Sequence, residues 1–230
     1  MLLDVYNRLY SRFGPQHWWP GDTPFEVIVG AILTQSVSWK NVALAIDALE
    51  QAGLLDPRSM RDIGEGAIAL LVRSTGYYQQ KARKLKSFLA YLWDTHGGEL
   101  DRMFSTPPAE LRRQLLGVWG LGPETVDSIM LYAGNIPSFV VDAYTVRVLT
   151  RMGLVQEGAS YDEIRGFFMD NLPQDPQMYN EYHALFVHLG KHFCKKRELL
   201  CGDCPLSEIC RTCLATRAEA LQQGPAAQAR

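Results

Sequence analysis

Four cysteines near the C-terminal end, Cys194, Cys201, Cys204 and Cys210, follow the spacing C-x6-C-x2-C-x5-C. Thiolates are soft ligands and four of them close a tetrahedral set, so the spacing reads as an iron–sulfur cluster or zinc site, with iron–sulfur favoured. Cys201 and Cys204 share one tight loop through Gly202 and Asp203, and Pro205 stiffens its exit. All five cysteines fall between 194 and 213. A secreted disulfide framework would spread them along the chain to close loops. Cys213 lies outside the spacing and reads as an ordinary thiol. Around the first ligand run Lys191, His192, Lys195, Lys196 and Arg197. On a rigid loop these cations would contact successive phosphates; standing alone they would be a solvated charge run.

A second group is the stretch Leu115 to Thr125, in which Gly117, Gly120 and Gly122 punctuate apolar residues between two expected helices. Gly120 and Gly122 permit a tight turn whose N–H groups face outward at the start of the next helix, an arrangement that holds a phosphate without reading bases. The plain alternative is an αα corner. A third is Asp142, which follows the apolar run Phe139 to Val141 and opens an amphipathic helix. It is an expected N-cap, and a partly buried carboxylate there would also stabilise a developing positive charge.

The elements that must hold these groups are helical almost throughout, with no convincing alternating strand. The first helix takes Leu2, Leu3, Tyr6, Leu9, Tyr10 and Phe13 and stops at Gly14-Pro15. Thr23, Pro24 and Glu26 read as N-cap, first-turn proline and capping-box glutamate of a helix burying Phe25, Ile28, Val29, Ile32 and Leu33. Ser38 caps the next, which ends near Gly53. Further helices are expected over 65–73, 78–95, 108–116, 123–132, 142–152, 161–172 and 180–193, joined by short connections as a bundle needs. Residues 214–230 read as a flexible tail.

Composition sets the limits. Of 230 residues, 47% are apolar and 21% charged, which argues against disorder. Lys and Arg number 23 against 25 Asp and Glu, so nucleic-acid binding would need a local basic patch rather than bulk charge. The longest apolar stretch, 27–33, is too short to cross a bilayer. Asp4, Arg8 and Arg12 interrupt the N-terminus where a signal peptide needs its apolar region. The expectation is a monomeric cytoplasmic protein, nucleoid-associated if the source is bacterial.

In kind and placement these elements resemble the endonuclease III family of DNA glycosylases, within the helix-hairpin-helix superfamily. Gly122 and Asp142 are separated as the family's hairpin glycine and catalytic aspartate are, and the cysteine spacing matches the family's [4Fe–4S] loop. Leu33-Thr34-Gln35 resembles its L-T-Q segment, whose glutamine helps fill the duplex where a base has left. Gly76-Tyr77-Tyr78 with Lys81-Ala82 looks like its G-x-x-x-x-K-A helix start. The likeness spans about residues 24 to 210. It implies an all-α fold of two lobes: residues 22–133 form a six-helix lobe with the hairpin, and 1–21 with 134–213 form the lobe carrying the cluster. It also implies double-stranded DNA with a damaged base as partner, Asp142 as catalytic residue, and DNA contacts from Gln35, Gly120, Gly122, Thr125, Lys191, Lys195, Lys196 and Arg197.

Two departures set the expected sub-class. Bifunctional members carry a lysine immediately before the threonine that follows the hairpin glycine; here Glu124 precedes Thr125. A carboxylate forms no imine, so a monofunctional glycosylase without lysine-dependent lyase activity is expected. Trp18-Trp19-Pro20, with Trp39 after Gln35, resembles the 3-methyladenine glycosylase branch. Electron-rich indoles attract cationic N3- or N7-alkylated purines, and a flipped lesion stacks between aromatics. Trp18, Trp19, Pro20, Trp39, Glu124 and Tyr144 are therefore the expected base pocket, although indoles also serve as packing. The rival readings are a mismatch thymine or uracil glycosylase and a non-catalytic DNA-binding iron–sulfur protein.

Overall fold

The structure, a computed structural model, describes residues 1–223, with side chains through 219. Helix α1 (Leu2–Phe13) opens the chain. Next come α2 (Pro24–Leu33), α3 (Trp39–Gln51), α4 (Pro57–Asp62), α5 (Glu65–Leu71), α6 (Tyr78–His96), α7 (Leu100–Phe104), α8 (Pro108–Leu116) and α9 (Pro123–Ser128). Then follow α10 (Ala143–Met152), α11 (Tyr161–Asn171), α12 (Pro176–His192) and α13 (Arg211–Gln223). Among the described residues the one β feature is an isolated antiparallel bridge between Cys194 and Leu199. The all-α expectation holds.

The chain divides into two compact units, Trp19–Ser138 and the remainder, Met1–Trp18 with Phe139 onward. The first is wider than the expected 22–133 at both ends, because Trp19 and Ile136 pack on its apolar core. That core is built from α2, which is buried along nearly its whole length, with Val42, Leu49, Phe88, Leu92, Leu115 and Val126 around it. In the other unit Phe139 stacks on Phe168 at 3.7 Å, with Tyr182 edge-on to both. Tyr182 donates to the Leu2 carbonyl at 2.9 Å, which ties α12 to α1.

Of the expected caps, Thr23 and Asp142 accept a first-turn N–H, whereas Ser38 takes the N-cap position of α3 without a side-chain hydrogen bond. Thr23 Oγ1 accepts from Glu26 N, but the Glu26 carboxylate turns to Asp22 N rather than to its own cap residue. Helix α12 starts four residues before the expected 180, because Asp175 caps it and Pro176 takes its first position. The 123–132 helix is α only to Ser128 and continues as a π-helical turn, Ile129–Ala133. The 65–73 helix ends at Leu71 and passes into a 3-10 turn, Arg73–Thr75. The expected tail is helical through Gln223; the rest of it, 224–230, lies outside the described residues.

Candidate active site

The hairpin between α8 and α9 is pinned by its apolar residues. Val118 and Leu121 are buried, and Leu121 N donates to Val118 O, closing a turn with Gly120 at its third position. Gly120 has φ +85° there, and a Cβ would come within 2.5 Å of Lys84 Cγ, so glycine is required twice over. Gly122 differs from expectation. Its φ is −94°, in extended backbone open to any residue, and a Cβ would meet nothing within 4 Å. Nothing inside the protein demands glycine at 122. Trp119, at the tip, is exposed, and Arg83 lies over its ring at 4.3 Å.

Gln35 is tied to this turn. Its Nε2 donates to Gly120 O at 3.2 Å and to Thr125 Oγ1 at 2.9 Å, and its Oε1 accepts from Lys84 Nζ. Thr125 is buried, so its hydroxyl faces Gln35 rather than solvent. The next residue, Ser36, has φ +57°, a left-handed conformation unusual for serine. Burial lowers the Lys84 ammonium below its ordinary pKa. Glu124 lies exposed in the first turn of α9.

Lys81 explains the K-A helix start. Its side chain is buried, and Nζ donates to Leu33 O at 2.8 Å and Thr75 O at 2.7 Å, the carbonyl ends of α2 and of the 3-10 turn. Burial, with Lys84 nearby, lowers its pKa to about 8. Behind the hairpin, Arg112 pairs with the fully buried Asp127 through two contacts of 2.9 and 3.0 Å.

Of the tryptophans, Trp19 and Trp39 come together, centroids 5.2 Å apart and edge-to-face, and Tyr132 of the π-turn lies 5.1 Å from Trp19. Trp19 also lies on Gly30 of α2, where a Cβ would come 3.2 Å from its ring. Pro20 is exposed. Trp18 is half-buried and falls in the other unit.

In that other unit Asp142 is the N-cap of α10. Oδ1 accepts from Thr145 N at 2.7 Å and Thr145 Oγ1 at 2.9 Å, and Oδ2 lies 3.6 Å from His183 Nε2. Burial pushes the carboxyl up, but His183 and the two Thr145 bonds outweigh it and hold it below the usual carboxylate range. Asp142 is therefore an ionised, largely buried carboxylate. Its cap role, about 1 kcal/mol, coexists with that charge. Two residues on, Tyr144 packs on the Gly190 backbone, where a Cβ would strike its ring, and carries Arg147 at 5.0 Å from its centroid.

The same helix builds the cysteine loop. Arg147 donates to Gly190 O and Cys194 O, each at 2.9 Å. Arg151 donates to Cys194 Sγ at 3.1 Å, to Lys195 O at 2.7 Å and to Lys196 O at 3.1 Å. Its own carbonyl accepts from Cys210 Sγ and Thr212 Oγ1. The Cys194–Leu199 bridge places Lys195, Lys196 and Arg197 in the turn between. Lys196 and Arg197 are exposed, as is Lys191 on α12, while Lys195 pairs with Glu198 at 3.0 Å. Cys194, Cys201, Cys204, Cys210 and Cys213 line one small cavity with Val148, Leu189 and Leu206. Among the described residues, no three metal-type side chains converge as a single ion would need.

A family model described as HhH-GPD superfamily base excision DNA repair protein matches residues 29–174, from α2 through the hairpin and Asp142 to just past α11. The chain belongs to that superfamily. It is 44% identical over 212 residues to a Methanocaldococcus jannaschii protein provisionally named a DNA repair glycosylase, covering 91% of this chain and 96% of that one. Among solved structures it resembles a trapped endonuclease III–DNA covalent intermediate, with TM-score 0.80, 22% identity and coverage of 94% and 99%. It also resembles the H. pylori 3-methyladenine DNA glycosylase bound to 1,N6-ethenoadenine, with TM-score 0.74, 25% identity and coverage of 86% and 99%. The endonuclease III-type helix-hairpin-helix fold expected from the sequence is thus present.

Three residues of this superfamily member escape a linear reading. His183 faces Asp142 from forty-one residues on, Lys84 holds Gln35, and Tyr132 joins the tryptophans from the π-turn. Helical periodicity marks the first two as ordinary positions of amphipathic helices. The π-turn itself carries no sequence signal. No helix among the described residues is long and apolar enough to cross a membrane.

Proposed function

We propose that this chain is a monofunctional DNA glycosylase that releases alkylated purines of the 3-methyladenine and 7-methylguanine type from double-stranded DNA. The observation that carries the reading is Asp142, a buried carboxylate held ionised by Thr145 and His183 at the start of α10. As the glycosidic bond lengthens, positive charge grows on the sugar, and a fixed carboxylate in a low-dielectric setting stabilises it and orients the attacking water. Glu124 stands where bifunctional relatives carry their lysine, and it offers no amine for a covalent intermediate.

The hairpin grips the DNA backbone. Gly122 supports this: a residue free of internal demand for glycine suits a backbone approached closely from outside. Gln35 fills the duplex only by exchanging its bonds to Gly120 and Thr125 for bonds to DNA, at little net cost when the exchange is complete. Trp19, Trp39 and Tyr132 supply aromatic surface suited to a cationic base. Lys191 at the end of α12, with Lys196 and Arg197 on the cysteine loop, adds phosphate contacts, and Lys195 is partly neutralised by Glu198.

The donor set fits a [4Fe–4S] cluster: Cys194, Cys201, Cys204 and Cys210 line one cavity with an apolar wall, and Arg151 already donates to a sulfur. Burial pushes the Cys204 thiol up to about 11, a cost that a cationic centre removes by binding the thiolate. A cluster held by these four cysteines would cross-link the loop.

The test is release of 3-methyladenine, 7-methylguanine, mismatched thymine and uracil from matched duplexes, read with and without alkali and with borohydride trapping. The alkylpurines should be released, with strand breaks appearing only after alkali. Exclusive release of thymine or uracil would overturn the substrate, and an efficient trapped adduct would overturn the monofunctional chemistry.

A further inference from the structure

The hairpin tip carries an indole that packing does not use. Trp119 is 48% exposed at the second position of the turn that Leu121 N closes on Val118 O, and Gly120 follows it at φ +85°. Helix α6 meets this turn with two consecutive cations. Lys84 lays its stem on Gly120, and Arg83 sets its guanidinium carbon 4.3 Å from the centroid of the Trp119 ring. The Lys84 ammonium is used inside the protein, on Gln35 Oε1. The Arg83 guanidinium is not. Arg83 is exposed, and among the described residues its N–H groups meet no carboxylate or carbonyl. A second stacked pair gives the contrast. Arg61 lies 4.6 Å from the Trp93 ring, but Trp93 is half-buried and packed on the apolar core, with Gly98 against its ring. Trp93 has a structural place without its arginine, whereas Trp119 stands out at the tip of the turn.

Resting on the reading that this hairpin meets the DNA backbone, we propose that Arg83 binds a further DNA phosphate, beside the one at the hairpin, and that Trp119 is the residue that positions it. A free arginine side chain carries about 2 kcal/mol of rotamer freedom, part of which is lost when it grips a ligand. Seating its guanidinium over an aromatic ring removes some of that freedom beforehand and leaves the N–H edge to fork onto two phosphate oxygens. The platform is itself fixed, because the buried Val118 and Leu121 anchor the turn on either side of the indole. With a net charge of −2 the chain has no bulk attraction for a polyanion, so a single unpaired cation at the hairpin carries weight. The contact reads no base. It adds affinity and fixes the hairpin's register on the strand.

The experiment measures binding of the full chain to an undamaged duplex, and to the same duplex with one abasic site, by fluorescence anisotropy between about 50 and 200 mM salt. The variants are Arg83→Ala, Trp119→Leu and the two combined. Arg61→Ala is the control, a stacked arginine whose ring lies about 15 Å further along α6. Arg83 and Trp119 are exposed, so their variants should melt as wild type does. Arg83→Ala should weaken binding to both duplexes on the order of tenfold and lower the slope of log affinity against log salt by about 1. Trp119→Leu should weaken binding about two- to fivefold, and the double variant should bind no worse than Arg83→Ala. Arg61→Ala should keep the wild-type slope. An unchanged slope in Arg83→Ala, an equal fall in Arg61→Ala, or a loss confined to the abasic duplex overturns the phosphate contact. Losses that multiply in the double variant overturn the positioning role and give Trp119 a DNA contact of its own. A wild-type chain that binds neither duplex overturns instead the DNA reading on which the proposal rests.

Discussion

Replacing Asp142 by Asn separates the two jobs given to that residue. The amide oxygen keeps the bonds from Thr145 N and Thr145 Oγ1, and Asn caps helices about as well as Asp, so the cap survives and the stability lost should be that of the charge pairing with His183. What disappears is the charge. A unit negative charge about 4 Å from a unit positive one, at an effective dielectric of about 20, is worth roughly 4 kcal/mol. At about 1.4 kcal/mol per decade, base release should fall on the order of 10³-fold. Asp142→Ala should show the same loss of rate and also lose about 1 kcal/mol of stability with the cap. The assay is single-turnover release from a lesion duplex with enzyme in excess, alongside melting curves and binding to abasic-site DNA. An Asn variant that folds and binds like wild type and releases base within about tenfold of it would refute electrostatic stabilisation by Asp142.

Three further outcomes follow from the same geometry. Because Asp142 is held below the ordinary carboxylate value of about 3.9, release should not decline through loss of its charge until the pH falls below that value; an acid limb centred near pH 6 that vanishes in the Asn variant would contradict this. Lys81→Met should cost about 2–4 kcal/mol by stranding two helix-end carbonyls. Since folding lowers the Lys81 pKa to about 8, the unfolded chain binds more protons between there and its ordinary value, and a neutral amine still has two N–H groups for its two carbonyls. The stability gap between wild type and variant should therefore widen from about pH 8 to 10; a narrowing gap in denaturant titrations would be the contrary result. Gly120→Ala should destabilise by about 1–3 kcal/mol through its φ and the Lys84 clash, whereas Gly122→Ala should leave the melting curve alone and weaken binding to all DNA sequences alike. Equal effects of the two substitutions on stability would remove the argument for Gly122.

The local chemistry of this protein is legible along the chain. Thr23 with Pro24, and Asp142, start helices because each offers an oxygen to a free N–H a few residues on. The cysteine spacing and the order of hairpin, aspartate and cysteines survive in one linear string because each is a short-range pattern. Tertiary structure alone decides what those residues face. Lys81, legible only as part of a helix start, is buried on two carbonyls; Gln35, expected to fill the duplex, is held by Lys84, Gly120 and Thr125. His183, forty-one positions from Asp142, helps keep that carboxylate ionised, and Cys213, outside the ligand spacing, shares its cavity. Helical period fixes which face of an element is apolar. The charge state of a buried group instead depends on which neighbours packing brings within a few ångströms, and no local pattern encodes that meeting.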